Sequence, residues 1–134
     1  MNIPFIADMG MEQRADGLLF LPFNNKLLNH VGTIHGSALF TLAETQSGFY
    51  LGSYFPQYKG KIVPLLRAST VKYKNPANKD VYAKAFTSQE SLEKFEAQFL
   101  KKGRAIIRVD VEVLDSDNVL VMVGEFVWFI SKID

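Results

Sequence analysis

Apolar positions recur along this chain with two different periods, and the switches between them divide it into elements. From about His35 to Tyr54, Leu39, Leu42, Ala43 and Gln46 fall at spacings of three and four, the period of one helix face. Small residues (Gly36, Ser37, Ala38, Ala43, Ser47, Gly48) make up most of the remainder. A helix so poor in charge is predicted to be wrapped on most sides by other structure. Pro56 and Gly60 mark its exit. A second helical pattern covers Ser88 to Lys102, where Leu92, Phe95 and Phe99 share a face. Glu90, Glu93 and Glu96 load its first half, and Lys101, Lys102 and Gly103 close it, as the helix dipole and a glycine stop require.

The other segments read as strands. Leu65 to Tyr73 ends at the turn signal Asn75-Pro76-Ala77-Asn78, and Val81 to Thr87 alternates. Arg104 to Leu114 alternates cleanly, with Ala105, Ile107, Val109, Val111 and Val113 on one side and Arg104, Arg108, Asp110 and Glu112 mostly on the other. Asp115-Ser116-Asp117-Asn118 then turns the chain into Val119 to Ile130, apolar at successive positions and so predicted to be a central strand covered on both faces. Ahead of the first helix, Gly17 to Phe23 is a short strand ending at Pro22, Asn24 to Gly32 a loop, and Met1 to Met11 a short helix or coil. The prediction is an α+β fold: one domain spanning 1–134, an antiparallel sheet wrapped around a central, mostly apolar helix. The sheet's other face and its edge need cover, so a homodimer or a dimer of dimers is expected.

Composition narrows the function. A chain of 134 residues is long enough to build a core without disulfides or a structural metal. It has no cysteine, which removes disulfides, thiolate catalysis and cysteine-ligated metals. A formal charge of +1 offers no net basic field for nucleic acid. The basic clusters Lys59/Lys61, Lys72/Lys74/Lys79 and Lys101/Lys102/Arg104 are either solvated strand edges or contacts for a small phosphorylated ligand. No apolar run approaches membrane-spanning length and no secretory signal is visible. A cytoplasmic location without membrane or nucleic-acid partners is expected.

One acid stands out against this background. Glu44 is the only charged side chain between Lys26 and Lys59, and both histidines, His30 and His35, lie in the same stretch. A carboxylate among apolar and small residues must be paired, protonated or used, and no Lys or Arg lies nearby in sequence. It is either a structural acid hydrogen-bonded to Thr45, Gln46 or the backbone, or a catalytic one. Two histidines without cysteine do not build a catalytic zinc site, and no Gly-x-Ser-x-Gly elbow occurs. Asp115, Asp117 and Asn118 lack the Gly and distal Glu of a calcium loop. No metal and no cofactor are expected. His30 reads as structural, and Asn29 as a turn residue or a site residue.

Asn29, His35-Gly36-Ser37 and Leu42-Ala43-Glu44 resemble the helix motif of the hotdog-fold acyl-CoA thioesterases, notably the phenylacetate-pathway and 4-hydroxybenzoyl-CoA branch. Lys72-Tyr73-Lys74-Asn75-Pro76-Ala77 is similar to that family's strand ending in an aromatic-x-x-Pro-Ala turn. The order of elements agrees over nearly the whole chain. The longer Ser88–Lys102 helix is similar to that of a thioesterase-like hotdog group whose activity is not established. The resemblance implies acyl-CoA as substrate and Glu44 as nucleophile or general base. It implies that the Gly36 N–H polarises the thioester carbonyl, Asn29 bonds near that oxygen and His35 orients the loop. Ser37, Thr45 and Gly48 would line the substrate, with Lys72, Lys74 and Arg104 meeting the nucleotide end of CoA. Two departures stand out: Ser37 replaces a second Gly, and Gly48 falls where some members carry Ser or Thr.

These residue types suit thioester cleavage. A helix N-terminus presents free N–H groups, and a desolvated glutamate has the raised pKa of a base working near neutrality. Gly36 and Glu44, eight residues apart on one helix, are separated by roughly 12 Å along its axis. A site that uses both is therefore predicted to take one from each subunit. Phe40, Phe49, Tyr50 and Tyr54 line an acyl or aryl tunnel or simply fill the core. A non-catalytic acyl-CoA or lipid-binding hotdog module is the main rival reading, and a dehydratase or hydratase acting on acyl thioesters is the second.

Overall fold

The two strands with the clearest patterns pair with each other. A computed structural model describes residues 3–133. In it, β5 (Arg104–Asp115) and β6 (Leu120–Lys132) form a long antiparallel hairpin at the middle of a six-stranded sheet. The remaining strands are β1 (Glu12–Gln13), β2 (Leu19–Leu21), β3 (Ile62–Tyr73) and β4 (Val81–Phe86), in the order β1-β2-β4-β5-β6-β3. All neighbours are antiparallel. The alternation read in β5 is borne out: Ala105, Ile107, Val109, Val111 and Val113 are buried.

The sheet curls around α2 (Gly36–Tyr54), which packs against β2, β3, β4, β5 and β6. Ala38, Leu39, Leu42, Ala43 and Leu51 sit in the core. The helix starts where His35 Nδ1 accepts from the Ser37 N–H (3.0 Å). It ends at Phe55, whose N–H donates to Leu51 O, before Pro56 opens a short 3-10 turn. Helix α3 (Gln89–Lys102) has Ser88 as N-cap and Gly103 as a left-handed C-cap at φ 72°, a conformation that glycine takes without strain. Leu92, Phe95 and Phe99 are its buried face, and α3 packs on β5. Phe95 also lies 5.1 Å from Phe55, and Phe99 lies 5.0 Å from Tyr58.

Three features differ from the pattern-based expectation. A two-residue strand, β1, precedes β2, too short to leave a period in the sequence. Strand β6 is central but not covered on both faces: Val123, Val127 and Phe129 are only half-buried, and Arg67 lies over the Phe129 ring at 4.5 Å. Strand β3 begins at Ile62 rather than Leu65 and carries a bulge between Leu66 and Ala68. Side chains alternate with period two, so an inserted residue moves everything after it to the other face. Leu66 pairs with Trp128 and, beyond the bulge, Ser69 pairs with Phe126, Val71 with Gly124 and Tyr73 with Met122. Arg67 thereby restores Val71 and Tyr73 to the face that carries Leu66 and Pro64. Met1 and Asn2, part of the predicted N-terminal helix or coil, lie outside the described residues. α1 (Pro4–Asp8) follows them and buries Ile6.

β3 pairs with β6 only and is exposed along most of its length. A twelve-residue edge with free backbone groups and exposed apolar side chains such as Leu65 is a ready template for further strand pairing. Among the described residues, no helix is long and apolar enough to cross a membrane.

Candidate active site

One stripe of α2 lines a row of cavities. Ser37, Thr41, the neighbours Glu44 and Thr45, Gly48 and Gly52 follow one another about one helical turn apart. Near the helix start, a cavity of about 230 Å³ is bounded by His35, Ser37, Thr41 and the α1 residue Phe5. Phe5 and Thr41 also bound the next one, about 460 Å³, whose walls include Glu44, Thr45, Gly48, Pro64 and Trp128. A third, about 270 Å³, lies on the other side of the helix start, between Asn29, Gly36, Tyr73 and Lys74.

Glu44 is half-buried, and desolvation pushes its carboxyl pKa up. Among the described residues its carboxylate makes no hydrogen bond and no ion pair. The neighbouring side chains that a structural role would use are turned toward other groups. Thr45 Oγ1 donates to Thr41 O (2.7 Å), and Gln46 Oε1 accepts from the buried Leu19 N–H (2.8 Å). Ser47 Oγ donates to the Glu44 carbonyl (2.6 Å) and accepts from Trp128 Nε1 (2.8 Å), which fixes the indole as a wall of the Glu44 cavity. Burial without replacement of the lost water bonds is what raises the pKa.

At the helix start, His35 caps Ser37 N–H, and the Ala38 and Leu39 N–H groups donate to His35 O. The Gly36 N–H takes no acceptor among the described residues, so this dipole-enhanced donor is free. A Cβ at Gly36 would meet the Tyr73 ring at 3.1–3.3 Å, and the Tyr73 hydroxyl donates to Gly36 O (3.2 Å). A side chain here would have to displace the Tyr73 ring by a few tenths of an ångström.

The predicted site residues are not all brought together within one chain. Asn29 stands beside Gly36 but its side chain is spent locally: Oδ1 accepts from the Val31 and Thr33 N–H groups and Nδ2 donates to Thr33 Oγ1. His35 presents its ring as a helix cap. Lys74 borders the Gly36 cavity, and Lys72 is exposed on β3. Arg104 lies elsewhere. It pairs with Ser131 while Tyr73 pairs with Met122, nine residues apart on β6 and so roughly 30 Å along the strand. His30 is exposed. Tyr73, Trp128 and Phe5 are site-lining residues that sequence reasoning passed over. The one available signal was Tyr73's place ahead of the Asn75-Pro76-Ala77 turn. Among the described residues no group of three His, Cys, Asp or Glu side chains is placed to hold a metal ion.

The sequence profile of the family described as "Domain of unknown function (DUF4442)" matches residues 13–130. No curated protein matches the chain. Among solved structures, a Pseudomonas aeruginosa protein of unknown function described as a probable thioesterase superposes with a TM-score of 0.78 at 20% identity, covering 98% of this chain and 89% of that one. A Bacillus halodurans protein solved with CoA gives 0.75 at 19%, covering 97% and 77%. The Escherichia coli PaaI protein from the phenylacetic acid degradation operon gives 0.68 at 14%, covering 99% and 86%. The chain has the hotdog fold of these thioesterase-like structures.

Proposed function

We propose that this chain, which belongs to the DUF4442 family of domains of unknown function, hydrolyses acyl-CoA thioesters. The observation that carries the reading is Glu44: a half-buried carboxyl with a raised pKa, no partner among the described residues and an apolar cavity beside it. Glu44 takes a proton from water, and the hydroxide adds to the thioester carbonyl carbon. The oxyanion is held by the Gly36 N–H, and collapse breaks the C–S bond; protonated Glu44 returns its proton to the leaving sulfur, releasing CoA thiol and the acid. Direct attack by Glu44, through a mixed anhydride that water then opens, uses the same groups. The CoA bound to the Bacillus halodurans protein supports CoA as the carrier. Lys74, which borders the Gly36 cavity, would meet its phosphates.

Gly36 and Glu44 border different cavities of one chain, which supports a composite site with Gly36 from one protomer and Glu44 from its partner. The free β3 edge supplies the pairing surface for such a homodimer. Activity that persists at full strength in a monomer would sink the composite site.

The deciding test is thiol release from short, long and aryl acyl-CoAs by wild type and Glu44→Gln. The chain contributes no thiol of its own. Turnover that falls about a hundredfold or more in the variant places Glu44 in the chemistry, a loss of ~2.7 kcal/mol of transition-state stabilisation. Binding without turnover would favour a non-catalytic acyl-CoA module, a reading supported by the full engagement of Asn29 within its own loop.

A further inference from the structure

The row of cavities does not stop at Glu44. Gly48, Phe49 and Pro64 border both the Glu44 cavity and an adjacent, larger cleft of about 760 Å³. Its volume lies within the range of small-molecule sites. Leu18, Phe49, Phe55, Ile62 and Ala85 give it an apolar floor, and Asp16 and Lys59 border it with charge. Tyr50 closes one side, its hydroxyl accepting from the Thr87 N–H (3.1 Å).

Two glycines of α2 line the cleft, Gly48 where it meets the Glu44 cavity and Gly52, exposed, one turn further on. A Cβ at Gly48 would already touch the Trp128 ring at 3.4 Å, so a larger side chain there would narrow the junction. A Cβ at Gly52, one turn further on, would meet nothing within 4 Å. Glycine inside a helix costs ~1 kcal/mol relative to Ala, and no backbone strain or crowding at Gly52 requires it. From Glu44 to Gly52 the helix advances roughly 12 Å, far more than an acetyl group occupies.

We propose that the cleft beside Gly48 and Gly52 is the acyl-chain compartment of the site, and that it selects medium- and long-chain acyl groups entering past Glu44. The inference rests on the thioesterase reading for its substrate but not for its test. Affinity is measured with non-hydrolysable S-alkyl-CoA thioethers, from S-ethyl to S-hexadecyl, on wild type, Gly52→Phe and Ser53→Phe. Melting curves check that each variant folds, and the two variants fill the same cleft from adjacent positions.

In wild type, affinity rises about threefold to fourfold with each added methylene until the compartment is full. In the Phe variants the rise stops at a shorter chain, and the ratio of long- to short-chain affinity falls about tenfold or more. Affinity independent of chain length in wild type, or a ratio untouched by both variants, overturns the proposal. A loss of equal size for every chain length also overturns it, since the cleft would then hold the nucleotide end of CoA. Chain-length selection in binding without any thiol release from the corresponding thioesters would leave the compartment standing and remove the hydrolase reading.

Discussion

Asp115 and Glu44 are both carboxylates withdrawn from water, and they are held in opposite ways. Asp115, 7% exposed, turns the β5–β6 hairpin. Its Oδ1 accepts from the N–H groups of Asp117 (2.8 Å) and Val119 (3.0 Å), and its own N–H donates to Val119 O. Two backbone donors thus replace water at Oδ1. Glu44 sits in the middle of α2, where each N–H is already used by the helix and the side chains around it are committed elsewhere. Its solvation is reduced and nothing is returned. A carboxylate of the first kind stabilises a fold; one of the second kind costs stability and is retained for what its free oxygens do.

The largest expected effect breaks the comparison at Glu44. Glu44→Gln lowers turnover about a hundredfold or more (~2.7 kcal/mol) in the thiol-release assay, while its melting temperature does not fall. The sign of the pH dependence follows from the raised pKa. The native state holds the Glu44 proton more tightly than the unfolded chain, so stability falls as pH rises from the ordinary carboxylate range through the raised value. Urea titrations of wild type and Glu44→Gln should therefore converge at low pH, with the variant gaining relative stability as pH rises. In the same window kcat/KM climbs with pH as the base ionises, and the ascending limb disappears in the variant.

Asp115→Ala gives the opposite split. It leaves two turn N–H groups without their acceptor and lowers unfolding free energy by ~1–3 kcal/mol in urea denaturation, with turnover per folded molecule retained. His35→Ala removes the α2 cap and costs ~1 kcal/mol in the same measurement. The cap bonds the residue next to Gly36, so on the proposed mechanism kcat falls as well, which a purely structural cap would not produce. Tyr73→Phe is the mildest change. Loss of its bond to Gly36 O costs ~0.5–1.5 kcal/mol and frees the ring above Gly36, detectable as a small change in KM.

Much of the fold was legible because it is written in local periodicity. The 3.6-residue pattern placed α2 and α3 to within a residue or so, and the period-two alternation of β5 named its buried face. Glu44 was legible as well, since an acid isolated among apolar and small residues is visible without coordinates. The alternatives for its role were not separable there. Whether Thr45 and Gln46 would satisfy the carboxylate depended on Thr41 O, one turn away, and on the Leu19 N–H, which sequence places twenty-seven residues distant. Asn29 stayed ambiguous for the same reason, until its bonds to Val31 and Thr33 were seen.

By itself, then, the sequence determined the main elements, their order, the apolar character of the central helix and the one acid within it, because each follows from residues close together in the chain. The tertiary structure alone decided which groups reach that acid and which do not. One extra residue at Arg67 returns Val71 and Tyr73 to the helix-facing side of β3, and with it Tyr73 to Gly36. Trp128, eighty-one residues beyond Ser47, is brought against Gly48 and the Glu44 cavity. The junction between that cavity and the large cleft is made by α2 and β3 together. Cavities are what packing leaves unfilled, and packing is set by contacts between segments that no local period records.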